Sequence, residues 1–353
     1  MPADFRRAVI IAAALGLLAC GEDPASDREA GIIDTADGDT GSRDTGSMDT
    51  GTPPGAVLEA AAAPRFFDDA LQALPGRLSE IGLFPGAPDM APTDRVLSYL
   101  PLWSNGLSKQ RHVFLPSPVD NASGPEWELP VATVLFKTFS EPVTGRPIET
   151  RVIRKQVDGR QFAVYAWEPD ASDAQLVTSP TGVPVEVSVG GQIVTHEIPS
   201  ALACRACHES SPGTVLGFNE LQLALQLGDL SAAFVETPPA NPEEIVNSDA
   251  LTRDVLGYLQ GNCVSCHNGS EPRGPNTTFD LRHTVAEGNL IGRATESSGV
   301  EPGIRVVPGD PDSSVLISAF ERTTGDPMPP FGVQLRDEAG LERLRTWIAQ
   351  LQP

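Results

Sequence analysis

Two five-residue segments concentrate the reactive side chains of this chain: Cys204-Arg205-Ala206-Cys207-His208 and Cys263-Val264-Ser265-Cys266-His267. In each, two thiols are separated by two residues, so one turn of helix presents them side by side, and an imidazole follows at once. This is the C-x-x-C-H spacing of c-type haem attachment, in which the sulfurs add to the two vinyl groups of one macrocycle and the next residue turns its imidazole under the iron. Paired C-x-x-C segments also serve as zinc ligands and as redox dithiols. Against those alternatives stand the His directly after each pair and a gap between the pairs too long for a compact zinc ribbon. The chain has five cysteines. If Cys20 is used otherwise, these four complete the count and leave no thiol for a disulfide.

The elements needed to position the second motif are legible around it. Asn247-Ser248 can cap a helix that carries Leu251, Val255, Leu256 and Leu259 on one side and runs into Cys263. Asp337 opens another, in which Leu341, Leu344, Trp347, Ile348 and Leu351 recur at helical spacing. Gly257, near the end of the first helix, would let the two approach closely. Two helices crossing at one haem edge resemble a class I cytochrome c domain, over about residues 247–353. Between them, Pro308-Gly309-Asp310-Pro311, Ser314-Val315-Leu316 and Asp326-Pro327-Met328-Pro329-Pro330 are similar to bacterial cytochrome domains in which a Met-Pro-Pro loop supplies a thioether ligand. The resemblance implies Met328 as sixth ligand of the second haem, in preference to Met1, Met48 and Met90. A Met/His pair raises the reduction potential relative to two imidazoles. The resemblance also implies that the Pro275 carbonyl in Gly274-Pro275-Asn276 accepts the second N–H of His267, although as a turn signal those residues indicate only a loop.

The first motif has less around it. No Met-Pro-Pro follows Cys204, and the stretch to about residue 242 is too short for a second such domain. The helix-like segment 219–225, with Leu216 and Phe218 before it, is expected to wall part of this haem. His196 is the first choice for a sixth ligand, because it shares a strand face with Val194 and Ile198. A lone His in such a setting is commonly structural, and His112, His283 or no protein ligand at all remain as alternatives.

At the N-terminus, Arg6 and Arg7 precede an apolar run from Ala8 to Leu18 that is too short to span a bilayer and reads as a signal peptide over residues 1–19. Leu17-Leu18-Ala19-Cys20-Gly21 resembles a bacterial lipobox, which implies an acylated Cys20 as the mature N-terminus. An ordinary signal peptide ending in a Cys is the alternative. Several acyl chains anchor a protein far better than one. Gly21 after the Cys resembles lipoproteins sorted to the outer membrane. Residues 20–55 are rich in Asp, Gly, Thr and Ser and read as a disordered acidic tether. Their Asp-Thr-Gly triplets, starting at Asp39, Asp44 and Asp49, form a low-complexity array rather than the paired loops of an aspartic protease. Lys and Arg number 25 against 47 Asp and Glu, a formal net charge of -22 that disfavours nucleic acid and favours basic or neutral partners.

Residues 56–199 read as a β-rich domain. Segments 133–139, 149–155 and 162–167 are short runs of β-branched and aromatic residues, and 185–189 with 192–198 flank Gly190-Gly191 as a hairpin. No nucleophile paired with a base and no phosphate loop occurs there. Leu102-Trp103-Ser104-Asn105-Gly106 with Lys109 and Arg111, Leu129-Pro130-Val131, Lys137-Thr138-Phe139, Glu149-Thr150-Arg151, Asp173-Ala174, Ile198-Pro199, Leu216-Gly217-Phe218 and Gln222-Leu223 resemble a family of bacterial dihaem cytochrome c lipoproteins. Ala132 departs from it, standing where the family has Gly in Pro-Val-Gly-Thr, which implies a slightly altered bend.

The expected fold class is therefore α+β and multidomain. An antiparallel β domain (56–199) leads into a short helical haem-binding segment (200–245) and then an all-α cytochrome c domain (246–353). The resemblance implies two covalently bound haem c groups, redox partner proteins in the cell envelope, a membrane reached through the lipid anchor, and an exported protein at the outer membrane facing the periplasm or the cell surface. One-electron transfer is the expected function. A peroxidase-like enzyme with an open first haem, and a β domain that docks a periplasmic dehydrogenase, are the alternatives.

Overall fold

The computed structural model describes residues 74–82, 94–95, 101–122, 127–208, 215–223, 235–237, 243–269, 279–296, 303–323, 327–330 and 332–352. The signal peptide, Cys20, the tether and Gly274-Pro275-Asn276 lie outside the described residues. Alternating β-branched and aromatic positions build six strands: β1 (Asp94–Arg95), β2 (Ser108–Phe114), β3 (Val134–Ser140), β4 (Pro147–Gln156), β5 (Gly159–Trp167) and β6 (Ala174–Leu176). They pair antiparallel in chain order. β7 (Val183–Val189) and β8 (Gln192–Ile198) form a separate hairpin. Its turn uses Gly190 and Gly191, both at positive φ, as a tight two-residue connection requires.

The period of two gives the sheet two different faces. On one, Val134, Phe136, Val152, Ala163 and Tyr165 pack against Leu78 and Ile81 of a short 3-10 turn. On the other, Phe139 and Val164 pack with Val187 and Ile198 of the hairpin. That second face also receives α1 (Ala201–His208), which follows β8 after two residues and starts on Ser200, whose Oγ accepts from the Ala203 N–H at 3.2 Å.

The remaining helices are α2 (Glu220–Leu223), α3 (Ala250–Asn262), α4 (Ala286–Leu290), α5 (Val315–Phe320) and α6 (Glu338–Gln350). The cap of α3 lies one residue beyond Ser248 and two beyond Asn247. Asp249 is the cap, accepting from Thr252 N at 2.6 Å, and Asn247 instead accepts from Asp249 N at 2.9 Å. Asp337 caps α6 through Gly340 N at 2.8 Å, as the sequence indicates. Val255, Leu256 and Leu259 of α3 share one core with Leu341, Leu344, Trp347 and Ile348 of α6. Complete burial of such a side chain contributes about 1.5–3 kcal/mol. Trp347 Nε1 donates to Thr252 Oγ1 at 3.1 Å, and Tyr258 Oη donates to Asp337 Oδ2 at 3.0 Å. The position with no room for a Cβ is Gly340, against Tyr258 and Asp337; Gly257 is simply buried in α3. The fold is mixed α+β. Among the described residues no helix is long and apolar enough to cross a membrane.

Ala132 holds the left-handed conformation suited to glycine, with φ 74, and its N–H donates to Lys155 O at 2.9 Å. The Cβ carries the strain of that conformation. Ala132→Gly should therefore stabilise the fold by about 1 kcal/mol, since that conformation costs a residue with a Cβ roughly this much. A urea midpoint that does not rise would contradict this.

Candidate functional site

The second motif is an extension of α3. The Cys263 N–H closes on Leu259 O at 2.8 Å, and the N–H groups of Cys266 and His267 both reach Cys263 O, at 3.1 and 2.9 Å. One further turn thus sets two thiols and an imidazole in succession. Cys263 packs against the α3–α6 core, and burial pushes its thiol up to about 12. Cys266 is exposed, and Cys204, Cys263 and Cys266 are all free thiols. His267 is buried, and desolvation, with a smaller contribution from Arg305, brings its imidazole down to about 4. It is therefore neutral at ordinary pH. Its ring centroid lies 4.4 Å from that of Phe279, and the Arg305 guanidinium carbon sits 4.3 Å from the centroid of the same Phe279 ring. Arg305 is fixed by donating to Asn289 O at 2.8 Å.

The first motif occupies α1. Cys204 packs against the sheet and hairpin cluster, and its thiol lies 3.7 Å from Ser200 O. The Cys207 side chain lies outside the described residues. The His208 ring is 5.6 Å from Phe162 of β5, and its carbonyl accepts from Arg160 Nη1 at 2.7 Å. Burial, then the charges of Lys137, Arg151 and Arg160, bring this imidazole down to about 3. In both histidines Nδ1 is buried with no hydrogen-bond partner among the described residues. Leaving such an atom unsatisfied costs about 1–3 kcal/mol. A neutral imidazole with an uncommitted buried nitrogen, directly after a C-x-x-C pair, fits a residue that binds a metal through one nitrogen and donates from the other.

Met328 is held at its backbone by a bond to Ala319 O at 2.9 Å, and the following carbonyl, that of Pro329, accepts from Arg322 Nη1 at 2.8 Å. Ala319 belongs to α5, whose Ile317, Leu316 and Phe320 join the core on which Cys263 packs. Met328 is thus attached to the helix bordering the second motif.

The three other histidines separate cleanly. His112 lies opposite Phe136, and so on the sheet face away from Cys204. His283 Nε2 contacts Glu243 Oε1 at 2.9 Å, remote in sequence from the first motif. His196 does point to the side of Val194, Ile198 and Cys204. Both its ring nitrogens are engaged, Nε2 with Glu149 Oε1 at 3.0 Å and Nδ1 with Asn105 Nδ2 at 3.3 Å. Asn can only donate from Nδ2, so the arrangement fits the tautomer whose Nε2–H donates to Glu149. Iron ligation by His196 would exchange one of these bonds for a metal bond. Glu149 is fully buried; desolvation opposes its ionisation, and Arg151 with His196 outweighs it, holding the carboxyl below its usual range. Segment 219–225 is helical at α2: Leu223, with Phe218 before the helix, packs with Trp127 and Val235 in a cluster distinct from that of Cys204, while Leu221 joins the core on which Cys263 packs.

Sequence reasoning did not single out the side chains that join the two motifs' surroundings. Asn105, at φ 54, accepts from the N–H groups of Gln334 and Leu335 at 2.9 and 3.0 Å and donates to Gln334 Oε1 at 2.5 Å. Trp103 donates from its backbone to Asn262 Oδ1 and from its indole to Leu335 O, both at 2.7 Å. Asn262 immediately precedes Cys263, and Leu335 lies between Met328 and α6. The turn at 103–105 therefore latches the β region onto both sides of the second motif.

Among the described residues no three His, Cys, Asp or Glu side chains converge as a metal cluster. In comparisons with known proteins, no family model, curated protein or solved structure matches this chain.

If the latch holds these parts together, Asn105→Ala should destabilise the protein by about 1–3 kcal/mol, because the N–H groups of Gln334 and Leu335 both lose their acceptor. Asn105→Gly should cost about 1 kcal/mol less, since glycine tolerates the positive φ. Equal losses in chemical denaturation, or none, would contradict the assignment.

Proposed function

We propose that this chain is a dihaem c-type cytochrome lipoprotein that transfers single electrons in the cell envelope. The observation that carries the reading is the pair of C-x-x-C-H turns, each ending in a neutral His with a buried, uncommitted Nδ1. Cys204 and Cys207, and Cys263 and Cys266, would hold the two macrocycles through thioethers. His208 and His267 would ligate the irons, with Met328 as the sixth ligand of the second. A bound haem c supplies reversible one-electron chemistry at its iron; the chain supplies ligands, a low-dielectric surround and a docking face. The α3–α6 pair with α4 and α5 is then an all-α cytochrome c domain, and the sheet is a separate β domain. Acylated Cys20 would anchor the protein to the membrane, at the outer membrane facing the periplasm or the cell surface. Its redox partners would present basic or neutral faces to a chain of net charge -22.

A second reading is favoured by one specific observation, the commitment of both His196 nitrogens to Glu149 and Asn105. If no other side chain replaces it, the first iron has an open position, as a peroxidase-like enzyme would need. A high-spin ferric signal with peroxide turnover marks that case, and two low-spin signals exclude it.

Spectroelectrochemical titration of the matured protein should show two one-electron waves. Met328→Leu should move one of them to lower potential and leave the other in place, because a thioether raises the potential relative to its loss or replacement by a harder ligand. A single wave, or two waves indifferent to Met328→Leu, would count against the assignment.

A further inference from the structure

The second motif draws on two stretches of chain far apart in sequence: the turn at 263–267, which continues α3, and the segment between Met328 and α6. A single turn of the β region is bonded to both. The Trp103 N–H donates to Asn262 Oδ1 at 2.7 Å, and Asn262 stands directly before Cys263. Asn262 is buried and its Nδ2 donates to Tyr258 O at 3.0 Å, so the acceptor is itself fixed to α3. On the other side, the Trp103 indole donates to Leu335 O at 2.7 Å, while Asn105 Oδ1 accepts from the N–H groups of Gln334 and Leu335 at 2.9 and 3.0 Å. Asn105 Nδ2 adds a bond to Gln334 Oε1 at 2.5 Å.

The turn that makes these bonds is anchored in the β region. Asn105 is buried at φ 54, and the Leu107 N–H closes on Ser104 O at 3.0 Å. Gly106, at φ 75, runs so close to the hairpin that a Cβ there would lie 2.5 Å from Val189 Cγ1, and Leu107 is buried in the cluster of sheet and hairpin. The segment it grips has little slack. The Met328 N–H is bonded to Ala319 O at 2.9 Å, and the Pro329 carbonyl accepts from Arg322 Nη1 at 2.8 Å. Pro329 and Pro330 then each hold φ at about −65°, which removes freedom from the chain just after Met328. A segment tied to α5 at one end and to residues 103–105 at the other, with two prolines between, passes a displacement of Gln334 and Leu335 on to Met328.

We propose that Trp103 and Asn105 are positioning residues for the second centre, holding the Met328 segment so that the β region sets how firmly the thioether is presented to the iron. The inference rests on the haem reading with Met328 as sixth ligand. Both residues act through the backbone of Gln334 and Leu335 and not on the metal. The same turn bonds the residue before Cys263, so the two stretches cannot separate without breaking contacts to Trp103 or Asn105.

The test uses the full-length matured chain as wild type and as Asn105→Gly, Asn105→Asp, Trp103→Phe and Val152→Ala. Glycine removes the carboxamide without straining a positive φ, Asp keeps the accepting oxygens, and Phe keeps a ring but loses the indole donor. Val152, buried on the far face of the sheet, serves as a variant that lowers stability without touching the turn. The readouts are the weak red absorption band that marks a thioether on ferric haem, the imidazole concentration that abolishes it, and the potential of the corresponding wave. In Asn105→Gly the band should vanish at roughly fivefold lower imidazole or less, the factor that one lost hydrogen bond carries, and the potential should fall. Trp103→Phe should move both in the same direction, Asn105→Asp should stay closer to wild type than Asn105→Gly, and Val152→Ala should lower only the urea midpoint. Wild-type values in both Asn105→Gly and Trp103→Phe, or an equal change in Val152→Ala, would overturn the positioning role while the haem reading stands. If the pyridine haemochrome spectrum counts two haems but wild type shows no red band, the thioether assignment falls and this inference with it. A spectrum that counts no haem overturns the haem reading itself.

Discussion

Everything in this structure depends on a single helical turn being able to present two sulfurs and an imidazole in a fixed order, and a turn of five residues is too short to hold itself in water. It must be propped from outside. The chain uses two unlike props. At residues 263–267 the turn continues a capped helix whose Val255, Leu256 and Leu259 are locked against α6. At residues 204–208 the turn belongs to a short helix launched from Ser200 at the end of a strand and laid on a sheet. The first motif is therefore built on β structure and the second on helix packing.

The latch at residues 103–105 makes these two supports one object. Trp103 binds beside Cys263 through Asn262, and Asn105 binds the segment between Met328 and α6. From Asn105 a line of hydrogen bonds passes to His196, Glu149 and Arg151, which stands on the sheet face occupied by the first motif. Buried polar chains of this kind are costly if any member is unsatisfied, and they fix a unique arrangement when all are paired. The environment of one centre thus reaches the backbone beside the other through side chains alone. In a chain of net charge -22, Lys137, Arg151 and Arg160 nonetheless stand near enough to His208 to disfavour its protonated form.

Much of this was legible in the sequence where period and composition agree. The strands at 134–140, 159–167 and 192–198, the Gly190-Gly191 turn and the Asp337 cap follow from alternation and turn chemistry. Strand β2 escaped notice because Ser108-Lys109-Gln110-Arg111 reads as a solvated run; its charged side chains face the first motif rather than open water. The start of α3 lies one to two residues beyond the sequence expectation because Asn247, Ser248 and Asp249 are all competent caps, and only the bond to Thr252 distinguishes them. Asn105 could not be read as a latch, since its partners lie more than two hundred positions away along the chain. His196 was placed correctly on its strand face, but the engagement of both its nitrogens depends on β4 and on the turn before β2, which no local pattern encodes. Ala132 shows the reverse case: it holds a left-handed conformation that its residue type does not signal.

The central claim is chemical attachment at two places, and mass spectrometry of peptides from correctly matured protein tests it most directly. The account predicts that the peptide spanning 204–208 and the peptide spanning 263–267 each carry one haem joined through both of their thiols. Peptides with free thiols, an internal disulfide or a coordinated zinc ion at those positions would contradict it.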